Sequence, residues 1–306
     1  MGKSWLTTLP INIYCLCTAV AAMWISFTFT NVSGFTITFV SFTVAAIIFI
    51  SCQFIKDRNI FRLMKIHPKF IAIINILTLI SWLFAFLSLY NIEPSIDGAI
   101  FQGSLPVGVL VFELIARSTK FFSLRSLSIL FIALCLVGLT LSRLLTGSDL
   151  LTYQPQQLYL GILLAAIGGF SGGLYAFISG RFHQKFKATT LEILSNRFFL
   201  LIILTAILGT AILGYGDLIK ILSIEAGRTI KLLFLALVSV VLPIFALQMS
   251  IEKLGAAKVS IITPFIPALV FSNGTIRSWL AFTMGAFLYS INLPFLISRE
   301  LLANKK

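Results

Sequence analysis

The chain has 306 residues, 58% of them hydrophobic and only 11% charged, with a formal net charge of +13. A soluble fold needs far more charge to cover its surface, so this composition excludes a water-soluble domain and makes lipid the solvent. The basic excess does not point to nucleic acid either, because phosphate recognition needs a folded basic surface and here the basic residues sit in loops between apolar spans.

Along the chain, ten stretches of about 20 residues are apolar enough to cross a hydrocarbon core about 30 Å thick. They run over residues 10–30, 35–55, 70–90, 96–116, 126–145, 158–180, 190–212, 231–251, 257–274 and 279–298. The predicted class is an all-α membrane protein of ten transmembrane helices, with no residues left for a soluble domain of useful size. Met1–Pro10 holds one Lys and leads into the first span with no small-residue cleavage site, so that span reads as a retained helix rather than a signal peptide. Cys15, Cys17, Cys52 and Cys135 all fall inside spans, where a thiol behaves as a small hydrophobe. Cys15 and Cys17 point to different helix faces, which argues against a metal site. No cofactor is expected.

The basic residues alternate from connection to connection. Lys3, then Lys56, Arg58, Arg62, Lys65 and Lys69, then Arg117, Lys120 and Arg125 fall on one side. Arg181, Lys185, Lys187, Lys253, Lys258, Arg299, Lys305 and Lys306 continue the same side. The opposite ends hold only Arg143, Lys220, Arg228, Lys231 and Arg277, and the loops at Asn31–Gly34 and Glu93–Asp97 hold no basic residue. The positive-inside bias predicts a multi-pass protein of the cytoplasmic (inner) membrane with both termini in the cytoplasm.

A weak internal repeat accompanies the alternation. Setting Pro106 on Pro267 also superposes Phe84-Ala85 on Phe245-Ala246 and Ile100 on Ile261 without a gap. Five spans is an odd number, so a duplicated unit lies upside down relative to its partner, with residues 1–150 and 151–306 as the two halves. In inverted-repeat transporters the substrate site lies at the repeat interface near the midplane.

The matched segments run from Leu89 through Glu93, Pro94 and Asp97 to Pro106, and from Ser250 through Leu254-Gly255-Ala256-Ala257 to Pro267. The second resembles the second-repeat signature of the drug/metabolite transporter superfamily, EamA branch: a helix end, a tight small-residue turn, then a helix with Pro seven residues after a Ser or Ala. Ser260 to Pro267 and Ala99 to Pro106 both keep that spacing. The segment Gly161–Phe182, with Ala165-Ala166 and a closing Arg181, is similar to the family's sixth helix, and Trp24 sits where members often carry a tryptophan. Ser118-Thr119 stands where Gly-Glu is common, and Ser41 about where many members carry Arg. The resemblance implies a gradient-driven carrier of small metabolites, often an exporter of amino acids or related compounds, working as a monomer or homodimer. An importer of nucleotide-like or sulfonium metabolites is the alternative within the superfamily. A membrane enzyme or receptor is the alternative outside it, but no P-loop, His-Glu-x-x-His or paired-carboxylate motif is present.

Individual residues refine the expectation. Gly168, Gly169, Gly172 and Gly173 form two small-xxx-small pairs that let helices approach closely. Pro106, Pro243, Pro264, Pro267 and Pro294 interrupt spans and free backbone carbonyls, and the paired Pro106 and Pro267 point to a hinge or cavity backbone. Glu113, Glu192 and Arg197 are ionisable groups at membrane depth. Glu113 has the spacing for an ion pair with Arg117, Arg197 reads as snorkelling to the cytoplasm, and Glu113 and Glu192 are candidate coupling residues. His67 and His183 read as residues of basic inner loops, and the phenylalanines as lipid-facing bulk. A midplane site needs fixed polar groups and rigid aromatic walls. The candidates for substrate binding are therefore Trp24, Asn75, Trp82, Gln102, Tyr175 and Gln248, with Trp82 and Gln102 foremost.

Overall fold

The computed structural model describes residues 2–28, 34–116, 154–213 and 233–264, with single positions at Phe131, Ala133, Gly138, Ile230 and Ile266; residues 2–6, 22–28, 94–95 and 212–213 are described by backbone alone. Helix is the one regular structure among the described residues, with no strand among them. The helices are α1 (Gly2–Thr28), α2 (Gly34–Lys56), α3 (Arg62–Ile66), α4 (Pro68–Ser88), α5 (Pro94–Ile115) and α6 (Pro155–Phe186). Then come α7 (Thr190–Leu194), α8 (Phe199–Leu213), a π-helical turn (Leu237–Val241), α9 (Leu242–Leu254) and α10 (Ala256–Ile262).

Six segments are long and apolar enough to cross a membrane: Gly34–Lys56, Pro68–Ser88, Ile96–Ile115, Pro155–Phe186, Thr190–Ala211 and Leu233–Leu254. They fit a multi-pass membrane protein. The predicted span 279–298, and 126–145 apart from Phe131, Ala133 and Gly138, lie outside the described residues, as does Pro267 beyond α10.

Helix starts follow local chemistry. Pro68, Pro94 and Pro155 open α4, α5 and α6, where a missing amide hydrogen costs nothing and the fixed φ is already helical. Thr189 caps α7, accepting from the Glu192 amide while Glu192 Oε2 takes the Thr189 amide at 2.8 Å. Gly255 joins α9 to α10 with φ 82° and ψ 154°, a conformation open essentially to glycine alone, so the turn predicted there is present.

Packing centres on α6, which lies against α5 and α4. Its glycines make that approach possible: a Cβ on Gly169 would meet the carbonyl of Phe101, one on Gly173 that of Leu105, and one on Gly108 of α5 that of Phe170. On the neighbouring face Gly168 and Gly172 lie against Ser81 of α4, leaving 3.1 Å and 3.0 Å for a Cβ. The predicted close contact of the glycine cluster is thus with two helices at once. Elsewhere α1 packs on α9, α2 on α7 and α8, and α4 on α8, while the π turn touches both α1 and α2.

Two spans depart from continuous helix. Residues 195–198 separate α7 from α8, and the π turn precedes Pro243, which brings no amide hydrogen to the turn before it. Phenylalanine also departs from its expected place. Phe42, Phe49, Phe86, Phe182 and Phe198 are buried inside the bundle, since an apolar ring gains as much from close packing against a helix as from lipid.

Candidate functional site

A cavity of about 100 Å³ lies between α1, α4, α5 and the π turn. Trp82, Ala85, Phe86 and Leu89 of α4 form one wall, and Asp97, Gly98, Phe101 and Gln102 of α5 the next. Tyr14, Thr18 and Ala21 of α1 face them, with Ser239 and Ile266 completing the lining. Trp82 is held by Phe42, edge-on with ring centroids 5.2 Å apart, and by Phe86 at 6.3 Å. A rigid aromatic wall of this kind offers contact area at small cost in side-chain freedom.

Gln102 is the polar counterpart. Its side chain is 3% exposed, and Oε1 has no hydrogen-bond partner. Pro106 stands four residues on, so the Gln102 carbonyl loses its helical donor as well. The cavity therefore has a buried acceptor that a bound donor would satisfy. Asp97, also buried, accepts from Ser88 Oγ. Sequence patterning placed Asp97 in a loop, yet it lies in the first turn of α5, drawn inward by that hydroxyl at the end of α4.

A second polar cluster joins α6 to α9. Tyr175 Oη donates to Gln248 Oε1, and Gln248 Nε2 donates to Ser179 Oγ at 3.1 Å and contacts His183 Nε2 at 2.7 Å. His183 Nδ1 lies 2.5 Å from the Ala188 carbonyl. A carbonyl can only accept, so Nδ1 carries the hydrogen and Nε2 accepts from Gln248. His183 is therefore a buried residue of α6 rather than a loop residue, because that helix continues six residues past the predicted 180 and Lys187 (φ 51°) then turns Ala188 back toward it. Tyr175, 2% exposed, belongs to the same interior rather than to the lipid interface. At the Pro68 end of α4, Phe70 stacks on Phe182 with centroids 3.5 Å apart, and His67 meets Phe182 and Phe186 at 5.1 Å and 4.2 Å.

The break between α7 and α8 is clamped by α4. Asn75 Nδ2 donates to the Asn196 carbonyl at 2.8 Å and to that of Ile71 at 2.9 Å, while Asn75 Oδ1 takes the Leu200 amide at 3.2 Å. Arg197 Nε donates to Thr78 Oγ1 at 3.0 Å, and its guanidinium carbon lies 3.7 Å from the Tyr175 ring centroid. Arg197 is 2% exposed, so it does not snorkel: the Tyr175 face and the Thr78 hydroxyl hold it inside. Glu192 pairs with Arg62 and caps Thr189, and Glu252 takes the amide and hydroxyl of Thr190.

The residues singled out from sequence separate into groups. Trp82 and Gln102 meet in the cavity, Tyr175 and Gln248 in the second cluster, and Asn75 at the break. Trp24 lies on α1 outside the residues whose side chains are described. Glu113 is partly buried near the end of α5, and Arg117 is outside the described residues. Tyr14, Thr18, Asp97, Ser239 and His183 were not singled out. Tyr14 and Thr18, four apart on an apolar helix with the small Ala21 three further on, share a face that could have been found.

No protein-family model matches the chain, and no curated protein matches its sequence. Solved structures do match it, fifteen chains in all. One, described only as the crystal structure of a protein, aligns at a TM-score of 0.65 and 16% identity, over 92% of this chain and 95% of its own. That likeness is one of fold.

Proposed function

We propose that the chain is a gradient-driven secondary carrier of the drug/metabolite transporter superfamily, EamA branch, with ten transmembrane helices in two inverted five-helix repeats, moving small metabolites by alternating access. The observation that carries this reading is the cavity itself: an aromatic wall at Trp82 and a buried, unpartnered acceptor at Gln102, between helices of an apolar bundle.

Reciprocal packing supports the repeat. If α1 corresponds to α6, α2 to α7–α8 and α4 to residues 233–254, the contact of α4 with α6 should recur as one of α9 with α1. The contact of α4 with α8 should likewise recur between the π turn and α2. Both pairs are present. Interrupted segments, here at 195–198 and at the π turn, are also a feature of such carriers, which build substrate sites from broken helices.

With both termini inside, as the basic residues suggest, the cavity would lie at the outer ends of α4 and α5, and Phe70, Phe182 and the Tyr175–Gln248–His183 cluster nearer the inner side. On the carrier reading this favours an outward resting state. An exporter of amino acids or related compounds is the preferred reading.

Flux of a metabolite panel into proteoliposomes, with and without a pH gradient, tests it. Trp82→Ala and Gln102→Ala should each weaken flux about tenfold at low solute while leaving the protein folded and inserted, the order of loss for a contact of 1–2 kcal/mol. If both variants transport like wild type across a solute titration, the site lies elsewhere. If no solute moves through the wild type, the carrier reading falls. Orientation is tested by an impermeant thiol reagent, which should reach Asp217→Cys from outside and not Lys65→Cys.

A further inference from the structure

The strongest feature that the cavity leaves unexplained is a buried cation. Arg197 stands in the non-helical break between α7 and α8, and its Nη1 is shielded from solvent and bonded to nothing. Among the described residues no carboxylate pairs with Arg197, whereas Arg62 pairs with Glu192. The predicted spans 126–145 and 279–298 also contain no Asp or Glu. An unpaired guanidinium inside a membrane protein is costly and tends to mark a functional site.

The break adds a second source of positive potential. α8 is a helix of 15 residues, and the N-terminus of such a half-helix carries partial positive charge toward the break. Asn75 fixes the gap from both sides through Asn196 and Leu200. Asn75, Thr78 and Trp82 are spaced three and four residues apart on α4, hence on one face. Thr78, which the guanidinium bonds, lies one turn along α4 from Trp82 of the cavity wall, although Arg197 itself is not a lining residue.

We propose that Arg197 is the docking point for an anionic group of the transported solute, a carboxylate or a phosphate. The inference rests on the carrier reading above and names the solute class of that same site. The guanidinium can donate a charge-assisted hydrogen bond to either oxyanion, and Nη1 is the nitrogen left for it. Tyr175 and Thr78 hold the group in place before the solute arrives.

Two measurements test the proposal. In the first, the metabolite panel is sorted by charge. Solutes carried above protein-free liposomes should bear a carboxylate or phosphate, and the amide or alcohol analogue of each should not be carried. Arg197→Met should reduce flux of the anion about tenfold or more, as loss of one charge-assisted pair does, and Arg197→Lys should retain part of it. Equal carriage of an acid and its amide, or an unchanged KM in Arg197→Met, overturns the anion dock and leaves the carrier standing. No flux of any solute overturns both.

The second measurement separates docking from structural support. Thermal unfolding of the full chain in neutral detergent is followed in acetate, inorganic phosphate or chloride at matched ionic strength. Acetate or phosphate should raise the wild-type midpoint over chloride, and which of them does so distinguishes the two oxyanions. Arg197→Met should unfold at or above the wild-type midpoint in chloride and lose the anion shift, because a cation waiting for its partner weakens the empty protein. A lower midpoint in Arg197→Met, or no anion shift in wild type, overturns the proposal.

Discussion

The α4–α5–α6 side of the molecule and the side built from α2, α7, α8 and residues 233–254 are held together in different ways. On the first, glycines let backbones meet, with Gly169 on Phe101, Gly173 on Leu105 and Gly108 on Phe170. The helices there run unbroken apart from the kink invited by Pro106. On the second, two of the three long segments are interrupted, and side chains carry the load: Asn75 across the 195–198 break, Gln248 between α6 and α9. Backbone contact leaves little room for rearrangement, whereas a side-chain hydrogen bond can be exchanged for another. The difference teaches where a moving part can lie: the glycine-packed slab is the frame, and the interrupted helices are what it supports.

The largest effect should come from attacking the frame. Gly169→Leu drives a side chain into the Phe101 carbonyl and should abolish folded, monodisperse yield in detergent; normal yield would mean that α5 and α6 slide freely and would erase the contrast. Next, Gln248→Leu leaves the buried Tyr175 hydroxyl, Ser179 hydroxyl and His183 ring without a partner. It should lower unfolding stability by about 3 kcal/mol or more, from three stranded groups at about 1–3 kcal/mol each, seen as a lower thermal midpoint. Asn75→Ala strands the Asn196 carbonyl and the Leu200 amide and should cost about 1–3 kcal/mol, seen as a lower thermal midpoint and faster amide exchange at residues 195–200. Exchange that stays slow there would show that the break does not depend on α4. Smallest of all, Arg62→Gln should cost under about 1 kcal/mol, because the arginine side chain is 47% exposed and solvent screens its pair with Glu192. A larger loss would make α3 part of the frame.

Much of this was legible beforehand for simple reasons. Twenty apolar residues in a row have few alternatives to a membrane helix, and glycines four apart can face only one neighbour groove. Pro106 near Gln102 and the depth of Trp82 were likewise readable, since each depends on spacing along one helix. The break at Ser195-Asn196-Arg197-Phe198 was not, because it holds neither Pro nor Gly. It is stabilised by Asn75, 121 residues away in the chain. His183 was lost to a boundary error of six residues, and Asp97 to a hydroxyl at the end of a different helix. Phenylalanine was misread because hydrophobicity cannot tell lipid from a packed neighbour when both are apolar.

The length of α6 has a consequence of its own. At 1.5 Å per residue its 32 residues rise about 48 Å, half again the roughly 30 Å of hydrocarbon in a bilayer. Tilt within the usual range cannot absorb that excess. End turns of α6 therefore reach past the hydrocarbon, and the last of them carry Arg181, His183 and Lys185, side chains suited to headgroups, with the Gln248–His183 contact beside them. Hydrophobic mismatch then acts on this contact directly: a thicker bilayer draws it under the apolar surface, and a thinner one lifts it into water. Lipid chain length becomes a parameter of that contact.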